Sequence, residues 1–318
     1  MTDGQKCLNL EYGCADEGRQ TLDLFFPTST PTSPPKLLVF VHGGAWRTGS
    51  KDEFYDMAHA LVTRSELAVA LIEYRLSTSD APNVKHPDHV QDVFDALQYL
   101  VRNEKALPYQ TTHMVIVGHS VGAWMALAAV MEPTIHTQDQ NQAASMPFLA
   151  PSIRSAIQKV VLVDPILDLD ALLLEYPDYE GFVSNAFPSS DAETRMYDAV
   201  SVSSWTWTKQ TQGRVRIVLM HSCDDELLSY AQVVVALKRF SVLCSSDDAG
   251  HDVQIPQPSS HACNSLAYWY RGKTQTESVS AHFQSDSMRV PMEIQVDWHS
   301  LSVGETKSIG ANTDTGTL

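Results

Sequence analysis

Basic residues are scarce in this chain. Lys and Arg number 22 against 38 Asp and Glu, a net charge of −16. With no basic surplus to displace counterions from a phosphate backbone, no nucleic-acid partner is expected. Cysteines are few and scattered, five in 318 residues: Cys7, Cys14, Cys223, Cys244 and Cys263. No C-x-x-C pair occurs, and an odd, irregular set argues against a disulfide framework or a zinc site. Free thiols in a reducing compartment are expected. No apolar run is long enough to span a bilayer; the longest, near 121–131, has about half the necessary length. The segment MTDGQKCLNLEYG has no basic n-region and no apolar h-region. No signal peptide is therefore read there, and a soluble cytoplasmic protein without a membrane partner is expected. Neither G-x-G-x-x-G nor a Walker pattern appears, so no cofactor is expected. No His/Cys/Asp cluster has metal-ligand spacing, and no internal repeat is visible.

Apolar residues make up 43% and charged residues 19% of the chain, enough to build a core. The length fits one large α/β domain with a tail. After the turn-rich PTSTPTSPP at 27–35, the run 37–41 (LLVFV) is continuously apolar and reads as a buried strand. Four similar runs follow at 68–72, 114–117, 160–163 and 215–220. Strands buried on both faces are expected in a mostly parallel sheet covered by helices on each side. Helical patterns fill the gaps. Ser50-x-x-Glu53 reads as a capping box before Phe54, Met57, Ala58 and Leu61. Residues 88–101 place Val90, Val93, Phe94, Leu97 and Leu100 on one stripe. Residues 121–131 are apolar all round, which predicts a buried helix; 230–240 is a further candidate. Strand and helix alternate, so the fold class is α/β. The domain is expected over 1–271, with a lid-like insertion at about 165–208. The polar stretch 272–318 shows no core periodicity and is expected to be a disordered tail.

The chemistry starts at Gly118-His119-Ser120-Val121-Gly122, a G-x-S-x-G pattern between the strand at 114–117 and the helix from 121. A sharp strand-to-helix turn holds a serine hydroxyl out at the end of a sheet, ready to act as nucleophile. His42-Gly43-Gly44-Ala45-Trp46 follows the strand at 37–41. Its Gly43 and Gly44 N–H groups, with that of Val121, are candidates for an oxyanion hole. A serine nucleophile needs a base and an orienting acid, in the chain order Ser, acid, His. Asp224, Asp225 and Glu226 follow the strand at 215–220; Asp225 is the expected acid and Asp224 the runner-up. Asp164, directly after the strand at 160–163, is a rival. Downstream stand His251, His261, His282 and His299. His251, after Gly250 and 26 residues beyond Asp225, is the expected base. His42, His119 and His221 are read as holding loop backbone. His59, His86, His89, His113 and His136 are read as surface or helix-edge residues. Trp46 and residues 176–187 are candidate cleft walls, or equally plain core aromatics.

With those residues in place, the chain resembles α/β-hydrolases of the HGG-type esterase branch, and more closely the fungal kynurenine formamidases (arylformamidases). The resemblance rests on H-G-G-x-W at His42–Trp46 and on GHSVGA at 118–123. It continues through LEYPDY at 174–179, AFP at 186–188, HSCDDELL at 221–228 and GHDV at 250–253, covering roughly 36–255. It implies an α/β-hydrolase fold and a Ser120–Asp225–His251 triad. The implied reaction is hydrolysis of N-formyl-L-kynurenine to L-kynurenine and formate, a step of tryptophan breakdown that feeds NAD biosynthesis. The implied substrate is a small molecule, and a homodimer is an admissible assembly. Departures from the family are the weak strand at 241–246 before His251, the Pro/Ser stretch at 255–260, and the tail. A general short-acyl carboxylesterase and, less favoured, a non-catalytic binding protein of the same fold are the alternatives.

Overall fold

The structure, a computed structural model, describes residues 6–14, 18–27, 33–134, 146–187, 196–222, 225–245 and 266–271. Five parallel strands form its centre: β3 (Lys36–Val41), β4 (Leu67–Ile72), β5 (Gln110–His119), β7 (Ile157–Val163) and β9 (Arg216–His221). These are the five apolar runs of the sequence, four of them extended by one to several residues and the last shifted by one, to 216–221. Three further strands of this sheet have no counterpart in the apolar runs. β1 (Lys6–Glu11) and β2 (Thr21–Phe25) build one edge, both joined antiparallel, and β10 (Leu266–Arg271) pairs antiparallel with β9 at the other. The order across the eight-stranded sheet is β1-β2-β4-β3-β5-β7-β9-β10. A separate two-stranded ribbon joins β6 (Met131–Pro133) to β8 (Trp205–Trp207).

Every residue of β4 is buried, as expected for a central strand with no solvent face. Alternate residues serve opposite sides. Leu37, Val39 and Val41 face the larger core. Leu38 and Phe40 face the smaller one, which α1 (Tyr55–Arg64) covers with Met57, Ala58, Leu61 and Val62. The larger core takes the stripe of α2 (Asp88–Asn103), all of α3 (Val121–Ala128) and the inner face of α8 (Ala231–Ser245). Each fully buried Leu or Phe in these layers contributes roughly 1.5–3 kcal/mol.

Several boundaries differ from the sequence expectation. The Ser50 hydroxyl accepts from Asp52 N–H and starts a short 3-10 turn (Lys51–Phe54), so α1 begins only at Tyr55. α3 ends at Ala128 rather than near 131. The buried Arg154 guanidinium donates to Ala129 O (2.8 Å) and Ala128 O (3.4 Å), giving these terminal carbonyls a partner outside the helix. Residues 241–245, read as a weak strand, continue α8 instead. Val242 is the one β-branched residue in that stretch, and the Ser241 hydroxyl turns back to donate to Leu237 O one helical turn earlier.

The described part of 165–208 holds α5 (Leu169–Glu175), α6 (Glu180–Ala186) and α7 (Met196–Val200). Leu167, Leu169, Leu172, Val183, Phe187 and Val200 join the main core. Buried Gln232 of α8 anchors the entry to this segment, accepting from Leu167 N–H and Asp168 N–H and donating to Asp168 O. The expected tail at 272–318 lies outside the described residues. Among those residues, no helix is long and apolar enough to cross a membrane.

His86 and His89 correct the surface assignment made from sequence: both are buried. His86 stacks on Phe187 and meets Trp124 edge-on, and neither ring nitrogen has a hydrogen-bond partner. His89 Nε2 pairs with the Ser77 hydroxyl. Burial holds both imidazoles neutral, with pKa values down at about 3. The unfolded chain, with ordinary histidines, binds more protons than the native state between about pH 6.5 and 3. Stability therefore falls as pH drops through that window. His86→Leu should flatten the change in urea midpoint between pH 7 and pH 5; an unchanged slope would refute this account.

Candidate active site

Ser120 sits between β5 and α3 with φ +53 and ψ −120, a conformation that L-residues other than glycine rarely adopt. Its N–H donates to Val163 O (2.8 Å) on β7, and its C=O accepts from Ala123 N–H (3.0 Å) and Ile166 N–H (3.3 Å). The turn is possible because both flanking glycines touch backbone. A Cβ on Gly118 would lie 2.3 Å from Gly122 O, and one on Gly122 would lie 2.2 Å from Val41 O. The sequence pattern thus folds as the sharp elbow it predicted.

The His42–Trp46 loop lies directly against this elbow. A Cβ on Gly43 would stand 2.9 Å from both Ser120 Cβ and His119 Nδ1. Gly44 has φ +109, and a Cβ there would meet Thr48 O at 2.0 Å, so only glycine fits. Ala45 and Trp46 also have positive φ. Three consecutive residues in this region make a tight turn, closed by Arg47 and Thr48 N–H groups on Gly44 O. Val121 opens α3, so its N–H has no acceptor within the helix. The backbone of Gly43 and the helix start therefore flank one serine side chain.

Buried groups fix the loop from behind. His42 stacks on Tyr74 at 4.3 Å, and the Tyr74 hydroxyl donates to His42 O (3.0 Å) and Gly43 O (3.2 Å). His42 Nδ1 contacts Gly43 O at 2.7 Å, the backbone-holding part expected of it, while Nε2 lies 3.4 Å from Glu73 Oε1. Glu73 also accepts from Arg19, the Ser50 hydroxyl and Lys51 N–H. Burial alone would raise its pKa. His42, the Lys51 N–H and Arg19 outweigh burial and hold it at about 2. Trp46 is wholly buried against Trp124, Phe182 and Phe187. Its ring is core, which answers in favour of the plainer of its two readings.

The acid-bearing loop begins after β9. Asp225 Oδ1 accepts from Leu227 N–H (2.8 Å) and Leu228 N–H (3.1 Å), a local turn that fixes its side chain. Tyr179, just before α6, leans on Phe182, donates its hydroxyl to Leu227 O (2.9 Å) and braces the same loop. Asp164, after β7, and His221, at the end of β9, reach the same place. One ligand atom from each of Asp164, His221 and Asp225 lies within 4.8 Å of the others. Among the described residues this trio is the grouping that could hold a metal ion, a possibility the spacing in sequence did not reveal. His221 faces Asp164 Oδ1 at 3.4 Å rather than loop backbone. His119 is half-buried, its Nδ1 enclosed and without a hydrogen-bond partner, and desolvation pushes its pKa down against the pull of Asp164 and Asp225. Asp224 and His251 lie outside the described residues.

A strained serine elbow at the carboxyl edge of a parallel sheet, a glycine loop beside it and acids on the next strand ends define an α/β-hydrolase. The BD-FAE family model matches residues 22–239, and the chain belongs to that hydrolase family, alongside the kynurenine formamidases. The kynurenine formamidase of Scheffersomyces stipitis is 34% identical over 219 residues, covering 63% of this chain and 76% of that protein. That of Saccharomyces cerevisiae is 33% identical over 205 residues, 61% of this chain and 72% of that protein. Among solved structures, esterase B from Lactobacillus rhamnosis shares the fold with a TM-score of 0.58 at 20% identity, over 76% of this chain and 72% of that one.

Proposed function

We propose that this hydrolase cleaves N-formyl-L-kynurenine to L-kynurenine and formate, with Ser120 as nucleophile, His251 as base and Asp225 as orienting acid. The observation that carries the reading is the φ +53 elbow at Ser120 with Gly43 packed against its side chain. The similarity to formamidases of two yeasts supplies the substrate. The proposed setting is cytoplasmic, acting on the small substrate without nucleic-acid or membrane partners.

The proposed reaction runs in two steps. The Ser120 oxygen attacks the formyl carbon as His251 takes its proton. The carbonyl electrons move onto oxygen, where the Gly43, Gly44 and Val121 N–H groups receive the charge. One such donor is typically worth about 3–4 kcal/mol in the transition state. His251 then protonates the aniline nitrogen as the C–N bond breaks, and water releases formate from the formyl-serine.

The test is kcat/KM for N-formyl-L-kynurenine against p-nitrophenyl acetate. A preference for the formamide of at least an order of magnitude is expected. Cleavage of the acetate with no release of kynurenine would replace this reading with that of a short-acyl carboxylesterase.

A further inference from the structure

Two carboxylates reach the acid end of this site, and the proposed triad uses only one. Asp164 is the other. Its backbone has φ +43, tolerated by Asp and Asn more readily than by most side chains, and its N–H donates to Met220 O (2.8 Å) on β9. Its Oδ1 accepts from Ser222 N–H at 2.7 Å and faces His221 Nδ1 at 3.4 Å. Ser222 is the first residue of the acid-bearing loop, and Asp225 N–H in turn points to Ser222 O at 3.4 Å. The side chain of Asp164 thus joins the end of β7 to the first residue of the loop that carries Asp225.

We infer that Asp164 is a positioning residue for the catalytic acid. It fixes the start of the Asp225 loop through Ser222 N–H and sets a second negative charge beside Asp225. The inference rests on Asp225 and His251 being the acid and base. Fixing the loop is a geometric effect, and misplacing a catalytic group by about 1 Å can cost about 10²-fold in rate. The second charge is an electrostatic effect. A carboxylate near Asp225 favours the protonated imidazole that Asp225 orients, and so raises the basicity of His251.

Among the described residues, the charged and titratable groups facing Asp164 are His221 on β9, Asp225 on the loop and His119 at the end of β5, with His42 beside His119. Burial pushes the Asp164 carboxyl up; Ser222 N–H and His221 pull it back, and Asp225 adds to the rise. His221 is itself flanked by the Tyr230 ring at 4.8 Å. Within the trio His221 is buried, while the two carboxylates keep partial access to solvent.

Asp164→Asn and Asp164→Ala separate the two effects. The amide keeps an acceptor for Ser222 N–H and suits the positive φ, but carries no charge. Asp164→Asn should keep the plateau kcat within about tenfold and move the acidic limb of the kcat/KM–pH profile down by about 0.5–1 unit. Asp164→Ala should lose about 10²-fold in kcat with KM little changed. Asp225→Asn is the reference and should be the most severe of the three. If Asp225→Asn is impaired while both Asp164 variants superimpose on the wild type, the positioning role fails and the triad reading stands. If Asp164→Asn is as inactive as Asp225→Asn, Asp164 is not a positioning residue. If Asp225→Asn turns over normally, the triad reading itself fails and the inference with it. The near-isosteric Asn variant answers the question even where the Ala variant does not fold.

Discussion

Ser120→Ala should lower kcat for N-formyl-L-kynurenine by several orders of magnitude, on the scale of about 10⁶ seen for serine-hydrolase nucleophiles. Substrate affinity and the thermal midpoint should change little. The elbow is held by backbone bonds from Ser120 N–H to Val163 O and from Ala123 N–H to Ser120 O, which alanine keeps. Turnover within tenfold of the wild type would remove Ser120 from the mechanism. A second substitution sharpens the point. Positive φ costs a non-glycine residue about 1–3 kcal/mol, so Ser120→Gly should raise the thermal midpoint while abolishing activity. A fluorophosphonate probe should label the wild type at Ser120 and neither variant.

Gly122→Ala should strongly destabilise the protein and disturb the site. Its Cβ would lie 2.2 Å from Val41 O and 2.5 Å from His42 O, both backbone atoms in the sheet and at the root of the glycine loop. Such contact cannot be relieved by turning a side chain. Overpacking typically costs about 1–3 kcal/mol and occasionally more, and a clash with strand backbone belongs at the upper end. Relief would require α3 to slide away from β3, separating Ser120 from Gly43. The midpoint in urea should fall, and the fraction that remains folded should react sluggishly with the fluorophosphonate probe. A wild-type midpoint would show that the helix can move without consequence.

The central sheet and the elbow were legible because each rests on local chemistry. Short β-rich apolar runs such as LLVFV and AVALI, bounded by turn residues and charges, read as strands buried on both faces, and G-H-S-V-G gains its meaning between such a strand and a helix. What was not legible depends on distant partners. β1 carries exposed and half-exposed residues and is a strand only because β2 pairs with it. His86 looks polar in sequence, and nothing local announces that Phe187, about a hundred positions on, stacks against it. Arg154 ends α3 from 25 positions away. In the site, the Ser120 elbow and the glycine loop are legible from spacing, while chain order leaves Asp224, Asp225 and Glu226 as adjacent candidate acids, with Asp225 the expected one. The approach of Asp164 and His221 to Asp225 was not found, because it is set by the register of β7 against β9.

The central strands also govern what happens once the fold opens. β3 and β4 are each six residues of nearly unbroken apolar, β-rich sequence. In the unfolded chain such segments pair readily with copies of themselves. Their ends carry the charges that hinder this, Lys36 as the first residue of β3 and Glu66 just before β4, with Glu73 and Arg75 after it. Four gatekeepers around two such strands slow self-association without preventing it. Heating should therefore end in precipitation, with an apparent midpoint that rises with scan rate. Shelf life is then set by the rate at which the sheet first opens and not by the depth of the native minimum.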